Sequence, residues 1–258
     1  MLKKDIDIYW FSGTGNTYLI TNELKEELEK FNIKVNLFKI EKSNPKNIDT
    51  DKIIGLAFPV AVQATYPLVW NFIDRLPNLE SKNTKIFMID TLAGFSGGVV
   101  GPLKNILSKK GYECIGAKEF IMPSNYSKPK EEEVNRKKVE KSLKKAKDFA
   151  KDLVEEKSNW GRVPGVSDVV KYINNRQFIW NSIQKTVSIN NDKCIKCGLC
   201  AKLCPTNSIR FNKGEYPIKV DGCESCMRCI AFCPQNAILL NKKETTQYKA
   251  VNLELFLK

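Results

Sequence analysis

The feature that most constrains this chain is a repeated cysteine pattern between residues 194 and 234, which holds eight of the nine cysteines. Two sets follow the spacing C-x2-C-x2-C-x3-C-P. The first set is Cys194, Cys197, Cys200 and Cys204, and the second set is Cys223, Cys226, Cys229 and Cys233. The second set repeats the first at an offset of 29 residues, and Asn207 and Ile209 are matched by Asn236 and Ile238. We infer a module built around these cysteines, at about residues 188–240.

The spacing of each set indicates metal ligation. Thiolates are soft ligands suited to iron–sulfur clusters, and this run is typical of [4Fe-4S] centres. The start of the chain, Met1 to Asp5, shows no signal peptide, so we expect a reducing cytoplasmic setting and no disulfides. Structural zinc sites usually use paired C-x2-C halves. The sequence therefore predicts two [4Fe-4S] clusters.

These cysteine runs resemble those of two-cluster bacterial ferredoxins. The resemblance implies that the fourth cysteine of each set serves the cluster of the other set. One cluster would take Cys194, Cys197, Cys200 and Cys233. The other would take Cys223, Cys226, Cys229 and Cys204.

The N-terminal part alternates strand and helix patterns. Strands are predicted at residues 5–11, 33–40, 52–58, 84–91 and 112–122. Helical patterns separate them, and a charged helix with one apolar stripe follows at about 130–157. This alternation predicts a doubly wound, five-stranded parallel α/β domain over residues 1–157. Cys114 would be a buried thiol in its fifth strand.

The loop after the first strand has the composition of a phosphate site. It comprises Ser12, Gly13, Thr14, Gly15, Asn16 and Thr17. Hydroxyls and backbone N–H groups at a helix N-terminus can hold a phosphate without a cation. The pattern is neither G-x-G-x-x-G nor Walker A, which disfavours dinucleotides and ATP. An ordinary strand–helix turn is the alternative.

This loop resembles the phosphate loop of flavodoxins, and residues 5–157 are similar to that fold in strand count and loop position. The resemblance implies FMN at the carboxyl ends of the strands. The ring would contact Pro59, Val60 and Ala61 after the third strand, Thr91, Leu92, Ala93, Gly94, Phe95 and Gly97 after the fourth, and Asn125 and Tyr126 after the fifth. Tyr66 is a further candidate, equally explained as a packing residue.

Charge and composition limit the other possibilities. There is no histidine, which excludes histidine-based triads and histidine metal ligands. The net charge is +13, and the negative charge of clusters and a flavin phosphate would offset part of it. The remainder suits an acidic partner, such as a ferredoxin, flavodoxin or reductase. The dispersed lysines disfavour nucleic acid, and no apolar run is long enough to span a membrane.

The chain as a whole resembles fused flavodoxin–ferredoxin proteins. It would combine the flavodoxin-like domain, a helical connector at 158–187, a small α+β 2[4Fe-4S] ferredoxin-like domain at 188–240, and a strand-like or extended tail at 241–258 docked on the body. The resemblance implies an electron carrier between low-potential redox proteins. A reductase of a small-molecule acceptor and a redox sensor or nucleic-acid-associated protein remain alternatives. No NAD(P) domain is visible.

Overall fold

The computed structural model describes residues 2, 4–80, 84–94, 98–126, 131–161, 180, 182 and 186–257. These residues form two compact units. Within the described limits, the first unit comprises residues 1–12, 17–123 and 131–175. The second comprises residues 13–16, 124–130 and 176–258. The second unit thus includes most of the predicted phosphate loop together with the cysteine module.

The first unit contains a five-stranded parallel sheet. Its strands are β1 (Ile6–Trp10), β2 (Val35–Lys39), β3 (Ile53–Pro59), β4 (Lys85–Leu92) and β5 (Glu113–Ile121). Their order is β2-β1-β3-β4-β5, which is the flavodoxin-like order of a doubly wound sheet. The predicted fold class is therefore confirmed, and each predicted strand lies within two residues of the observed one.

The centre of this sheet is apolar on both faces. Ile8 of β1 pairs with Leu37 on one side and with Gly55 on the other. Every residue of β1 is buried, and all of β3 except its last residue is buried. Strands with two buried faces need helices on both sides of the sheet, which is why the pattern is continuous and not alternating.

The helices of this part of the chain are α1 (Asn16–Glu29), α2 (Pro67–Asp74), α3 (Val100–Lys109) and α4 (Glu132–Val154), with 3₁₀ turns at Ile40–Lys42 and Pro45–Asn47. Pro67 is the first residue of α2, as its fixed φ favours. Gly111 follows α3 with φ 94° and donates its N–H to the Ser108 carbonyl at 3.1 Å. A glycine suits this position because it adopts the left-handed backbone that ends the helix.

The charged helix α4 packs by one face. Its buried residues are Ser142, Ala146, Phe149, Ala150, Leu153 and Val154. Val139 and Leu143 of the predicted apolar stripe are only half-buried. On the exposed face Arg136 forms ion pairs with Glu133 and Glu140, so these charges face solvent.

The second unit contains short elements. They are β6 (Val187–Ile189), α5 (Leu199–Leu203), β7 (Ile209–Arg210), β8 (Ile218–Lys219), α6 (Arg228–Phe232), β9 (Ile238–Leu240) and α7 (Glu254–Leu257). β6 pairs antiparallel with β9, with Val187 opposite Leu240. β7 pairs antiparallel with β8. The core between them is formed by Val187, Cys200, Ile209, Met227, Ile230, Ile238 and Leu240.

The prediction of a strand-like tail is wrong at its end. Residues 254–257 form the one-turn helix α7, in which the Phe256 N–H bonds the Leu253 carbonyl at 2.9 Å. This turn directs the buried Phe256 ring to the Phe232 ring, 5.3 Å away between centroids. The apolar alternation of Val251 to Leu257 was too short to distinguish the two periodicities.

Most of the predicted connector, including 162–179, falls outside the described residues, and the domain boundaries at 157 and 188 stay predictions. Within the part of the chain that is described, no helix is both long and apolar enough to cross a membrane.

Candidate functional site

The two cysteine sets fold alike. Residues at equivalent positions, 29 apart in the chain, share left-handed backbone: Lys196 and Ser225 (φ 57° and 50°), Gly198 and Met227 (71° and 68°), and Asn207 and Asn236 (54° and 50°). Left-handed backbone is costly for most residues and is found where the fold requires it. The structural repeat therefore follows the sequence repeat closely.

The fourth cysteine of each set ends a short helix in the same way. Cys204 caps α5 and Cys233 caps α6, both with extended backbone. The Ser208 N–H donates to the Cys204 Sγ at 3.2 Å, and the Ala237 N–H donates to the Cys233 Sγ at 3.3 Å. Donors aimed at sulfur favour its negative charge. The two fourth cysteines thus have matching hydrogen-bond surroundings.

The first group of sulfurs includes one cysteine from the second set. Burial raises the pKa of Cys200 to about 11, and the nearby sulfurs of Cys194, Cys197 and Cys233 add to the rise. Crowded sulfur atoms resist ionisation unless a cation or metal compensates their charge. These contributions show that Cys233 of the second set lies near the first three cysteines of the first set.

The second group has the reciprocal composition. Burial raises the pKa of Cys229 well above its usual value, and the sulfurs of Cys226, Cys223 and Cys204 contribute in that order. All four cysteines line one small cavity. Cys200 contributes last to the same rise, so the two groups are neighbours.

The arrangement is not that of a single-ion site. Among the residues that the structure describes, no group of three cysteine or acidic side chains could hold one metal ion. A mononuclear zinc gathers its ligands around one atom. Thiolates are soft ligands suited to iron–sulfur clusters, so the chemistry of each sulfur group fits a [4Fe-4S] cluster.

The two groups differ in exposure and charge. Cys197 is exposed, whereas Cys226 at the equivalent position is 9% exposed. Burial raises the pKa of Cys226 to about 12, and the charge and N–H of Arg228 oppose that rise. Arg228 is itself buried and its guanidinium lies 4.5 Å from the Phe256 ring centroid. The first set has the uncharged Leu199 at this position.

The loop residues Gly13–Asn16 pack tightly within the second unit. A Cβ at Gly13 would overlap the carbonyl oxygen of Cys226. Gly15 has φ 107°, and a Cβ there would lie 2.5 Å from the Val251 Cγ2. Only glycine tolerates both the conformation and the close approach. The two predicted loop glycines therefore have a structural requirement of their own.

The tail holds this loop through its oxygen atoms. The Ala250 N–H donates to the Thr14 carbonyl at 2.8 Å. The Tyr248 hydroxyl donates to the Asn16 Oδ1 at 2.6 Å. From residues 124–126, the Asn125 Nδ2 donates to the Thr14 Oγ1 at 3.3 Å. All three contacts use oxygen atoms of the loop as acceptors. A phosphate binds to hydrogen-bond donors, so these contacts orient the loop and leave its N–H and O–H groups for a phosphate. The loop's glycines, hydroxyls and amide thus fit a phosphate group.

The remaining loop residues lie in the first unit. Ser12 and Thr17 are buried, and the Thr17 Oγ1 lies 2.8 Å from the Thr91 Oγ1 at the end of β4. The Val60 N–H donates to the Thr91 carbonyl at 2.8 Å. The chain segments after β3 and β4 are therefore joined at the carboxyl edge of the sheet, where such folds bind ligands.

The segment after β3 contains a tight turn that sequence reasoning missed. Ala61 and Ala64 exchange two backbone hydrogen bonds of 3.1 and 2.9 Å. Between them Val62 and Gln63 have φ 52° and 60°. Such turns normally select Asn and Gly, and neither is present. The lack of glycine in this loop concealed the turn.

The other predicted ring contacts are placed as follows. Pro59 ends β3, Leu92 ends β4, Ala93 and Gly94 form the bend after it, and Tyr126 is 48% exposed. Phe95 and Gly97 lie outside the described residues. Tyr66 is buried with its ring 5.4 Å from that of Phe11, which fits packing.

Cys114 in β5 is half-buried, not buried as predicted, with its sulfur 3.7 Å from the Ser108 Oγ.

Comparison with protein families decides the nature of the C-terminal part. Residues 186–250 match the family described as "4Fe-4S dicluster domain". The chain joins a flavodoxin-like fold to a 4Fe-4S dicluster domain. This arrangement is consistent with a fused flavodoxin–ferredoxin protein and supports a redox role in electron transfer.

Solved structures similar to this chain include flavodoxins. The Streptococcus pneumonia TIGR4 flavodoxin has 14% identity and a TM-score of 0.43, covering 58% of this chain and 98% of its own. A short-chain flavodoxin associated with a non-canonical PDU bacterial microcompartment has 16% identity and a TM-score of 0.45, covering 61% and 100%. Megasphaera elsdenii flavodoxin has 22% identity and a TM-score of 0.39, covering 54% and 98%. A search of curated proteins found no match.

Proposed function

We propose that this protein passes electrons between two [4Fe-4S] clusters and FMN, and that it acts as a carrier between low-potential redox proteins. The observation that supports the proposal is the grouping of the cysteines. Cys204 lines one cavity with Cys223, Cys226 and Cys229, and Cys233 is a neighbour of Cys200. Two clusters whose ligands are interleaved in this way are held close together, as stepwise electron transfer requires.

The chain's own groups prepare the cluster sites. One site would use Cys194, Cys197, Cys200 and Cys233, and the other Cys223, Cys226, Cys229 and Cys204. When bound, each cluster supplies one-electron chemistry and FMN supplies two-electron chemistry. The N–H groups of Ser208 and Ala237 donate to the fourth thiolates. Such donors stabilise negative charge on sulfur and raise the reduction potential.

The phosphate loop is the second element of the proposal. Ser12, Thr14 and Thr17 supply hydroxyls, and Gly13 and Gly15 allow close approach of the backbone. Within the second unit Gly13 lies against the Cys226 carbonyl. The cluster that uses Cys226 is therefore the one nearest to this loop, and we assign it as the cluster that exchanges electrons with the flavin.

Composition analysis of the purified protein tests the proposal. After anaerobic reconstitution we expect about eight irons, about eight sulfides and one FMN per chain, with EPR signals from two reduced clusters that interact magnetically. About four irons or no bound flavin would contradict it.

Serine substitutions test the exchange of fourth ligands. Cys233→Ser should alter the EPR spectrum of the same cluster as Cys194→Ser, and Cys204→Ser should alter that of Cys223→Ser. Cys114→Ser is the matched control, because Cys114 lies in the sheet of the first unit, and it should leave both spectra unchanged. A Cys204→Ser spectrum that matches Cys194→Ser would exclude the exchange.

A further inference from the structure

An exposed apolar and basic patch lies beside the first sulfur group. We define it as Ile195, Lys196, Tyr216 and Ile218. Ile195 is 58% exposed, Tyr216 40% and Ile218 61%. Single exposed apolar residues are ordinary, whereas several together mark an interaction surface. The second unit therefore presents a candidate docking surface at this point.

The patch joins two segments of the second unit. The Lys196 Nζ lies 4.3 Å from the centroid of the Tyr216 ring, which connects the cysteine segment to the β7–β8 hairpin. Ile218 lies in β8, and its neighbour Lys219 pairs with Ile209.

The patch adjoins the predicted cluster ligands in the chain. Ile195 and Lys196 are the two residues between Cys194 and Cys197, and Cys197 is exposed. The equivalent residues of the second set are Glu224 and Ser225, and Ser225 is buried at 6% exposure. The first set is thus more exposed at Cys197 and Lys196 than the second set is at the equivalent Cys226 and Ser225.

The charge near the patch selects the partner. Around the cysteines from residue 192 to 219, the basic residues are Lys193, Lys196, Lys202, Arg210, Lys213 and Lys219, and the acidic residues are Asp192 and Glu215. Within the described ranges Lys196, Arg210 and Lys213 form no ion pair with any residue. Cations that are not neutralised by a carboxylate attract an acidic surface, and the exposed isoleucines suit a protein surface better than a nucleic acid.

We propose that this patch docks an acidic one-electron carrier protein and delivers its electron to the cluster of Cys194, Cys197, Cys200 and Cys233. The inference rests on the proposed function. The reduced carrier would lose one electron, and a cluster held by Cys194, Cys197, Cys200 and Cys233 would gain it. A cluster held by Cys204, Cys223, Cys226 and Cys229 could receive that electron in turn.

Stopped-flow reduction of the holoprotein tests the patch, with a reduced acidic [2Fe-2S] ferredoxin as the probe. For the wild type we expect a second-order rate constant that falls steeply with ionic strength. Lys196→Glu should lower it about tenfold at low salt and flatten the salt dependence, and Ile218→Ser should lower it severalfold at every salt concentration. The control Lys144→Glu, on α4, makes the same change in net charge and should match the wild type.

Other readouts separate the two proposals. Iron content, EPR spectra and the rate of reduction by dithionite should be unchanged in both patch variants. If those values hold and the probe reduces the variants at the wild-type rate, or fails to reduce the wild type in a salt-dependent way, the docking surface is overturned while the proposed function stands. Self-association of the wild type that Ile218→Ser abolishes would assign the patch to a second copy and also overturn it. Loss of clusters in the wild type would instead remove the proposed function.

Discussion

Gly198 and Met227 occupy equivalent positions of the two cysteine sets and share a left-handed backbone, with φ 71° and 68°. Their surroundings differ. A Cβ at Gly198 would overlap the ring of Phe211, whereas the Met227 side chain is itself buried in the core. The space beside this backbone is therefore occupied by the Phe211 ring in the first half and by the Met227 side chain in the second.

Gly198→Ala should therefore lower the free energy of unfolding by more than the addition of one methyl group usually does. The new Cβ costs about 1 kcal/mol for the left-handed backbone and about 1–3 kcal/mol more for displacing the Phe211 ring. Loss of cluster absorbance with increasing guanidinium measures the change. Gly214→Ala is the matched control, because Gly214 has φ 89° and an added Cβ would meet no atom within 4 Å. Equal losses in the two variants would show that the Phe211 contact contributes nothing.

Removal of the Arg228 charge should lower the reduction potential of one cluster. Its guanidinium is buried close to Cys226, and a nearby positive charge favours the more negative, reduced state of a cluster. For Arg228→Leu we expect a fall on the order of 50 mV in the potential of the cluster that uses Cys226, and a much smaller change in the other. Anaerobic titration followed by EPR gives both potentials. Arg228→Lys keeps the charge and should stay near the wild-type value; equal shifts at both clusters would contradict a local effect.

Tyr248→Phe should weaken FMN binding. The tyrosine hydroxyl donates to the Asn16 Oδ1 at 2.6 Å and so fixes the orientation of that amide in the loop. Without this bond we expect a loss of about 1 kcal/mol, which is about a fivefold rise in the dissociation constant. Quenching of FMN fluorescence on titration with the protein measures it. Tyr216→Phe removes an exposed hydroxyl of the same chemistry outside the predicted FMN contacts and should leave the constant unchanged.

Asp90→Asn should change how the stability of the protein depends on pH. Asp90 in β4 is fully buried, and neither of its carboxyl oxygens has a hydrogen-bond partner among the described residues. Burial raises the pKa of this carboxyl well above its usual value, the neighbouring Glu119 raises it further, and Lys145 opposes the rise. The folded protein therefore holds the proton more tightly than the unfolded chain does.

The sign follows from that difference. The contribution of the Asp90 proton to the free energy of unfolding is fully present below the pKa of Asp90 in the unfolded chain. It is lost as the pH rises through the pKa of Asp90 in the folded protein. Between pH 4 and pH 8 the free energy of unfolding of the wild type should therefore fall by about 1–3 kcal/mol relative to Asp90→Asn. Guanidinium denaturation followed by tryptophan fluorescence at several pH values provides the comparison. Asp148→Asn, at an exposed site on α4, should follow the wild type; parallel curves for Asp90→Asn and the wild type would exclude the effect.

The sequence was sufficient for the parts of the structure that depend on short-range pattern. Buried parallel strands are continuous apolar runs, so β1 and β3 were predicted within a residue or two. The cysteine spacing predicted an iron–sulfur module, and residues 186–250 match a 4Fe-4S dicluster domain; the assignment of each fourth cysteine stays a prediction from the resemblance. Each of these signals lies within a few neighbouring residues.

What the sequence could not provide depends on contacts between distant segments. Nothing in the residues of the tail predicted that Tyr248 and Ala250 bond to the loop at Thr14 and Asn16. The left-handed turn at Val62 had no glycine to indicate it. For Arg228 the sequence did contain a signal, because the equivalent position of the first cysteine set is the uncharged Leu199.

The pairing of β6 with β9 has a consequence for how such a chain arises. Val187 opposes Leu240, so the chain enters and leaves the cysteine region at neighbouring positions of one short sheet. A segment whose ends lie close together can be joined to another fold or inserted into it without distorting its interior. Such closure would let the cysteine region be copied and recombined as one genetic segment.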